Sequence, residues 1–167
     1  MSDLDIRHYK ILLVDEHESM RHILTAMLKD LDVGDIKEAA DGGTALEKLQ
    51  EFDFDLIITG QVMTPMDGAE LTQQIRSGEG GVNPFIPIIM VSGHAVKENI
   101  VAARDAGVHE FLVKPVSTKA LHARLRRIVE NPRPFIRSSD YYGPDRRRRA
   151  MPIEGPDRRK YAYDYLS

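Results

Sequence analysis

From about residue 10 to residue 130 the chain alternates between two kinds of segment. Short apolar runs fall at Lys10–Val14 (KILLV), Asp35–Ala39, Asp55–Thr59 (DLIIT), Ile86–Val91 (IPIIMV) and Glu110–Val113. Near-continuous runs of this length predict parallel strands covered on both faces. Between them lie segments of helical period, at Ser19–Asp30, Gly43–Glu51, Ala69–Ser77, Val96–Ala106 and Ser117–Val129. In the first of these, Met20, Ile23, Leu24, Met27 and Leu28 recur at i, i+3, i+4, i+7 and i+8, one apolar stripe. Helix punctuation agrees: Asp67-Gly68 precedes the third helix, Gly107 closes the fourth, and Ser117 caps the fifth. Five such units predict an α/β fold, a doubly wound five-stranded parallel sheet with right-handed crossovers. Function in such sheets sits at the carboxyl ends of the strands. Here those ends carry Asp15, Glu16, Gly60, Ser92 and Lys114.

Beyond residue 130 the pattern is lost, which divides the chain into a domain over 1–130 and an extension over 131–167. The extension holds five of the nine prolines and five of the six tyrosines, with no long apolar period. It predicts a largely irregular tail without a packed core of its own. GPDRR occurs in it twice, at Gly143–Arg147 and Gly155–Arg159. Each Gly-Pro-Asp reads as a tight turn, because proline presets φ, so each copy presents an arginine cluster.

Charge sharpens this division. The net of −3 averages a domain with 14 Lys+Arg against 21 Asp+Glu and a tail with 9 against 5. A net of −7 facing +4 marks the tail as functional. The absence of cysteine excludes disulfides, thiolate chemistry and Cys-based zinc sites. The opening MSDLDIRHYK is polar and carries acids, unlike a secretory signal, and no apolar run reaches 18 residues. These features predict a cytoplasmic protein.

Adjacent acids after a strand, as in LLVDEHESMRHIL, suit a hard divalent cation such as Mg²⁺. A hydroxyl at Ser92 and an ammonium at Lys114 could hold phosphoryl oxygens, which together make half of a phosphoryl-transfer site. Taken singly, each is equally an ordinary solvated group at a loop end. As a set, ILLVDEHESMRHIL, FDLIITGQVMTPMDG, IIMVSGHA and EFLVKP resemble the receiver domain of two-component response regulators, in the style of stand-alone CheY-like proteins, over about residues 9–130. The resemblance implies a flavodoxin-like receiver fold and a place in phosphorelay signalling. It implies that Asp15 and Glu16 are metal-holding acids, Ser92 the switch hydroxyl, Phe111 the switch aromatic and Lys114 the phosphoryl-pairing lysine. It also implies a cis peptide at Lys114-Pro115, and signalling partners on the face formed by the fourth helix, fifth strand and fifth helix.

One position departs from that pattern. Eight residues before Gly68, the phospho-accepting aspartate of the family falls on Gly60, and the loop proline is displaced to Pro65, after Met63 and Thr64. Glycine offers neither nucleophile nor metal ligand, so the expectation is a pseudo-receiver that is no enzyme, with weak or vestigial Mg²⁺ binding. Neighbours do not replace the missing group. Asp55 lies at the far end of its strand, roughly 16 Å away at about 3.3 Å per residue; Thr59 points to the other face, and Asp67 reads as a helix cap. Phe111 has two readings, switch aromatic or plain core packing. Any surviving switch needs another ligand with differential affinity for its two states.

The tail stretch RPFIRSSDYYGPDRRRRAMPIEGPDRRK supplies a candidate. Arginine grips phosphate bidentately and pairs with the O6/N7 edge of guanine, a carboxylate accepts from the amino edge, and tyrosine stacks on the base. This stretch resembles the arginine-rich extensions of certain CheY-like proteins that bind cyclic di-GMP. The resemblance points to Arg133, Arg137, Asp140, Asp145, Arg146, Arg147, Asp157, Arg158 and Arg159 as ligand residues. Other readings stay open: nonspecific RNA or DNA binding, disfavoured here, docking on anionic lipid, or self-docking of the basic tail on the acidic domain. An alternative to ligand sensing is a constitutive docking module for a histidine kinase or motility partner, with the tail as its arm.

Overall fold

The computed structural model describes residues 4–94, 96–137, 141–145 and 160–163, with backbone only for residues 137 and 160–163. The first part alternates β1 (Lys10–Val14), α1 (Glu18–Asp30), β2 (Asp35–Ala39), α2 (Gly42–Glu51), β3 (Leu56–Gly60), α3 (Gly68–Ser77), β4 (Ile88–Ser92), α4 (Lys97–Ala106), β5 (Glu110–Val113) and α5 (Thr118–Glu130). The sheet order is β2-β1-β3-β4-β5 with every pair parallel, the five-stranded α/β arrangement that the pattern predicts.

Successive side chains along each central strand serve opposite faces. Ile11, Leu13, Ile58, Ile89 and Val91 pack with Leu24 and Leu28 of α1 and Leu121 and Leu125 of α5. Leu12, Val14, Ile57, Ile88 and Met90 pack with Leu71 and Ile75 of α3 and Ala103 of α4. Burial on both sides explains the unbroken apolar runs. The exception is β2 (DIKEA), an edge strand whose polar residues stay partly exposed, so it was never a continuous run.

The predicted caps form. Asp67 Oδ1 accepts from the Glu70 N–H at 2.8 Å, Ser117 Oγ accepts from the Ala120 N–H at 3.0 Å, and Gly107 ends α4 at φ 109°. Two strands sit further along than the pattern placed them. β3 includes Gly60, and β4 starts at Ile88 rather than Ile86, after Pro87, which has no N–H to pair.

The extension differs more. Three short strands, β6 (Phe135–Arg137), β7 (Tyr142–Pro144) and β8 (Lys160–Tyr163), form an antiparallel sheet of order β7-β6-β8. The described residues 135, 136 and 141 are buried, which an irregular free tail would not produce. The first GPD is also not a turn. Gly143 and Pro144 lie in β7, paired with Ile136 and Phe135, and the Asp145 N–H donates to the Pro134 carbonyl at 2.8 Å. Pairing with β6 holds that segment extended. A Cβ at Gly143 would stand 3.1 Å from Gly107 Cα, so glycine lets β7 approach the α4–β5 turn.

Candidate functional site

Parallel register brings the carboxyl ends of β1, β3, β4 and β5 together, and with them Asp15, Gly60, Ser92 and Lys114. These residues line a cavity of about 190 Å³ with Glu16, His17, Gln61 and His94. The loop from Gly60 to Gly68 folds back tightly. The Gly68 N–H donates to the Gln61 carbonyl at 2.8 Å, and a Cβ at Gly68 would collide with the Gly60 carbonyl.

The strand tip is occupied by its neighbours. A Cβ built at Gly60 would lie 3.0 Å from Asp15 Oδ2 and 3.8 Å from Met63 Cγ. Asp15 is buried; its Oδ1 accepts from the His17 N–H at 2.9 Å, and its Oδ2 lies 3.9 Å from Lys114 Nζ. Arg21 clamps the turn by donating to the Asp15 carbonyl at 2.7 Å. Asp15 and Lys114 are thus brought together as an ion pair, whereas Glu16 is exposed to solvent.

Ser92 is buried and already engaged. Its Oγ donates to Gln61 Oε1 and accepts from the His94 N–H at 3.0 Å. Gln61 is the residue that sequence reasoning missed, and its position directly after Gly60 was the available signal. Phe111 is half-buried on β5 against the core on the α3/α4 side. The Lys114-Pro115 peptide is cis, as the resemblance implies, and Thr64-Pro65 is cis as well.

The three neighbours of Gly60 are spoken for. Asp55 Oδ2 accepts from the Lys10 N–H at 2.8 Å, at the opposite end of the sheet. Thr59 Oγ1 is buried and donates to the Gly60 carbonyl at 3.0 Å, while Asp67 caps α3. Mg²⁺ needs several oxygen ligands in a near-octahedral arrangement. The cavity lining offers one buried carboxylate, Asp15, and one exposed, Glu16, and among the described residues no three His, Asp or Glu side chains group as a metal site. This donor set does not fit a tight Mg²⁺ site.

A second constellation lies at the amino ends of β4 and β5, where the extension meets the domain. Phe135 is fully buried, with ring centroids 5.2 Å from Phe85, 5.5 Å from His109 and 6.3 Å from Tyr142. Arg76 of α3 lies over the same ring, its Cζ 4.9 Å from the centroid. All five of its N–H donors are used, on the carbonyls of Pro84, Ile86 and Gly107 (the last twice) and on His109 Nδ1. Burial pushes the Arg76 pKa down to about 9, so the group remains a cation at neutral pH. Burial, with Arg76 and Arg133 nearby, holds His109 well below the ordinary histidine range.

Arg133 belongs to this dock. Its Nη2 donates to Glu110 Oε2 at 2.9 Å, and the other oxygen of that buried carboxylate takes Arg127 at 2.9 Å and Arg124 at 3.4 Å. Two of the expected tail-ligand residues are therefore placed differently from a free arm. Arg133 is mostly buried against Glu110, and Asp145 is buried beside β7, because β6 and β7 pack onto the domain. The backbone of Arg137 pairs in β6, while Asp140, Arg146, Arg147, Asp157, Arg158 and Arg159 lie outside the described residues. Self-docking was among the open readings of the tail; its described residues Arg133 and Phe135 pack on the domain through aromatic burial and one ion-pair cluster. Sequence could not single out Arg76, His109 or Glu110, since each reads as an ordinary residue at an element end.

The sequence and the fold have counterparts among known proteins. The family model for the response regulator receiver domain matches residues 11–126. The chain is 37% identical over 124 residues to chemotaxis protein CheY-3 of Vibrio cholerae, covering 74% of this chain and 94% of that protein. It is 36% identical over 121 residues to chemotaxis protein CheY of Pseudomonas aeruginosa, covering 72% and 96%. Among solved structures, CheY4 of Vibrio cholerae superposes with a TM-score of 0.66 at 32% identity, over 72% of this chain and 98% of that one. The receiver domain of the sensor histidine kinase PA1611 from Pseudomonas aeruginosa, with a magnesium ion coordinated in its active site cleft, gives 0.66 at 27%, over 74% and 98%. With the parallel sheet, the strand-end residues and these likenesses in agreement, this chain belongs to the CheY-like response regulator receivers of two-component signalling, with glycine at the tip of its third strand.

Proposed function

We propose that this protein is a stand-alone cytoplasmic signalling adaptor that is not phosphorylated at the usual receiver position and has no catalytic role of its own. Its input is a ligand of the arginine-rich tail, cyclic di-GMP, and its output is the α4–β5–α5 face offered to a signalling protein. The observation that carries this reading is Gly60, where the strand tip has no nucleophile and the Asp15 carboxylate stands 3.0 Å from the place of a Cβ. The tail supports it because Arg133 reaches Glu110, the first residue of β5, and Phe111 follows directly. Calorimetry with cyclic di-GMP tests the ligand. Saturable heat is expected from the full chain, and its loss from a variant carrying Arg146→Ala, Arg147→Ala, Arg158→Ala and Arg159→Ala. No heat at tens of micromolar, where even weak binding would register (~6 kcal/mol), or equal binding by that variant, ends the ligand reading.

A second reading has its own observation. The Ser92 hydroxyl is already held by Gln61, which favours a domain fixed in one state, docking constitutively on a histidine kinase or motility partner. Capture of a partner that survives loss of the tail arginines but fails on Phe111→Ala would select this reading over ligand gating.

A further inference from the structure

A cavity of about 150 Å³ lies at the amino ends of β1, β3 and β4, bounded by the last turn of α5. Buried Ile86 and Ile128 line it with apolar surface. Tyr9 and Phe54 add two half-buried rings, which pack on the cores of opposite faces of the sheet. Asp55, Asn83 and Arg127, all exposed, bring polar groups to the same space. Apolar and aromatic walls with a few polar groups are the make-up of a small-molecule site. At roughly 10–15 Å³ for each water-sized atom, the space takes about ten such atoms, the size of a bicyclic ring.

The polar groups have capacity to spare. Asp55 Oδ2 accepts from the Lys10 N–H, and its Oδ1 has no donor among the described residues. Asn83 Oδ1 accepts from the Phe85 N–H at 3.0 Å, which leaves its amide N–H₂ as a donor. Arg127 gives Nη1 to Glu110 at 2.9 Å, and its Nε and Nη2 have no partner among the described residues. Glu110 and Arg133 also stand in the wall, but they bond each other, so their charges offset. A bare anion would meet Asp55 here, and a bare cation would meet Arg127. A neutral ligand with donors on one edge and acceptors on another satisfies both. The two rings favour a flat one. Guanine combines these features: N1–H and N2–H₂ donate along one edge, while O6 and N7 accept along the next. Each edge of adenine instead mixes a donor with an acceptor.

We propose that the cavity walled by Tyr9, Phe54, Asp55, Asn83 and Arg127 is a binding site for a guanine nucleoside. Asp55 Oδ1 accepts from N1–H and N2–H₂, Asn83 and Arg127 donate to O6 and N7, and the two rings cover the base. The site lies at the opposite end of the sheet from the Gly60 cavity. Asn131, Pro132 and Arg133 line the same space, so a bound base also contacts the start of the extension.

Titration of the full chain with guanosine, which carries no phosphate, tests it by ¹⁵N NMR. Saturable shifts at or below about 1 mM are expected at the Asn83 side-chain amide and the Phe54 backbone amide. Adenosine should produce none. Asp55→Asn keeps an oxygen for the Lys10 N–H and sets an N–H₂ group against the donors of the base. It should weaken guanosine binding at least about tenfold, the loss of one charge-assisted hydrogen bond. Arg104→Gln, outside this lining, should bind as the wild type does. Absence of a saturable shift up to about 1 mM guanosine, equal shifts with adenosine, full affinity in Asp55→Asn, or loss in Arg104→Gln overturns the proposal. It does not rest on the cyclic di-GMP reading, whose calorimetry varies other arginines, so either can fail without the other.

Discussion

The two ends of the parallel sheet are built by opposite means. At the carboxyl ends, Asp15, Ser92 and Lys114 surround a glycine, and the cavity there is lined by polar and charged groups. At the amino ends, a fully buried Phe135 is enclosed by Phe85, His109, Tyr142 and Arg76, and a buried carboxylate gathers three arginines. The first end carries glycine at the tip of β3; the second carries a packed contact from the extension, beyond the residues 11–126 that the family model matches. Strand β5 runs between them, from Glu110 in the dock to Lys114 just past its end in the cavity. The glycine and the anchored extension stand at opposite ends of one sheet, so each can be altered without touching the other.

The contrast breaks most sharply at Gly60. With acetyl phosphate and Mg²⁺, the wild-type chain should gain no phosphoryl mass, whereas Gly60→Asp should become modified. Asp15 must yield a few tenths of an ångström to admit the new side chain, which a flexible carboxylate can do. Intact mass spectrometry reads an all-or-none difference, and a phosphoryl mass on the wild type would overturn the reading of this end.

Phe135→Ala probes the other end. Emptying a buried phenylalanine site costs about 3–5 kcal/mol, and here the cost falls on the dock. Amide exchange at residues 135–137, 142, 143 and 145 should accelerate roughly a hundredfold or more, with the five-stranded sheet still protected. Unchanged exchange would mean that the extension is held by something other than this ring.

The smallest effect concerns pH. His109 is held well below 6.5 in the fold, mainly by burial, so below about that value the unfolded chain binds a proton that the folded chain refuses. Stability is therefore fully present above 6.5 and falls as the pH drops from there towards the folded value, by at most about 1.4 kcal/mol per pH unit. Thermal unfolding between mildly alkaline and mildly acidic pH should show this slope, and Phe135→Ala, which opens the site to water, should flatten it. An equal slope in both proteins would place the titration elsewhere.

The domain was legible because its physics is local and periodic. KILLV, DLIIT and the stripe of Met20, Ile23, Leu24, Met27 and Leu28 each declare an element and its buried face. Asp67, Ser117 and Gly107 declare helix ends. Gly60 was legible too, since the absence of a side chain is a fact of sequence. The shared site of Ser92 and Gln61 was not, because their hydrogen bond joins residues 31 apart in the chain.

The extension shows where such reading stops. RPFIR carries no period, and its composition of proline, arginine and tyrosine reads as irregular, yet Phe135 is buried and Arg133 is paired. What orders them lies elsewhere: Arg76 on α3, His109 and Glu110 at the start of β5, and Gly107, which leaves room for Gly143. Sequence by itself determined the α/β domain, its strand-end residues and the glycine at position 60, since hydrophobic period and residue identity suffice for those. Only the tertiary structure decided that the first part of the tail is a docked sheet, because a ring is buried or bare according to what other segments bring against it.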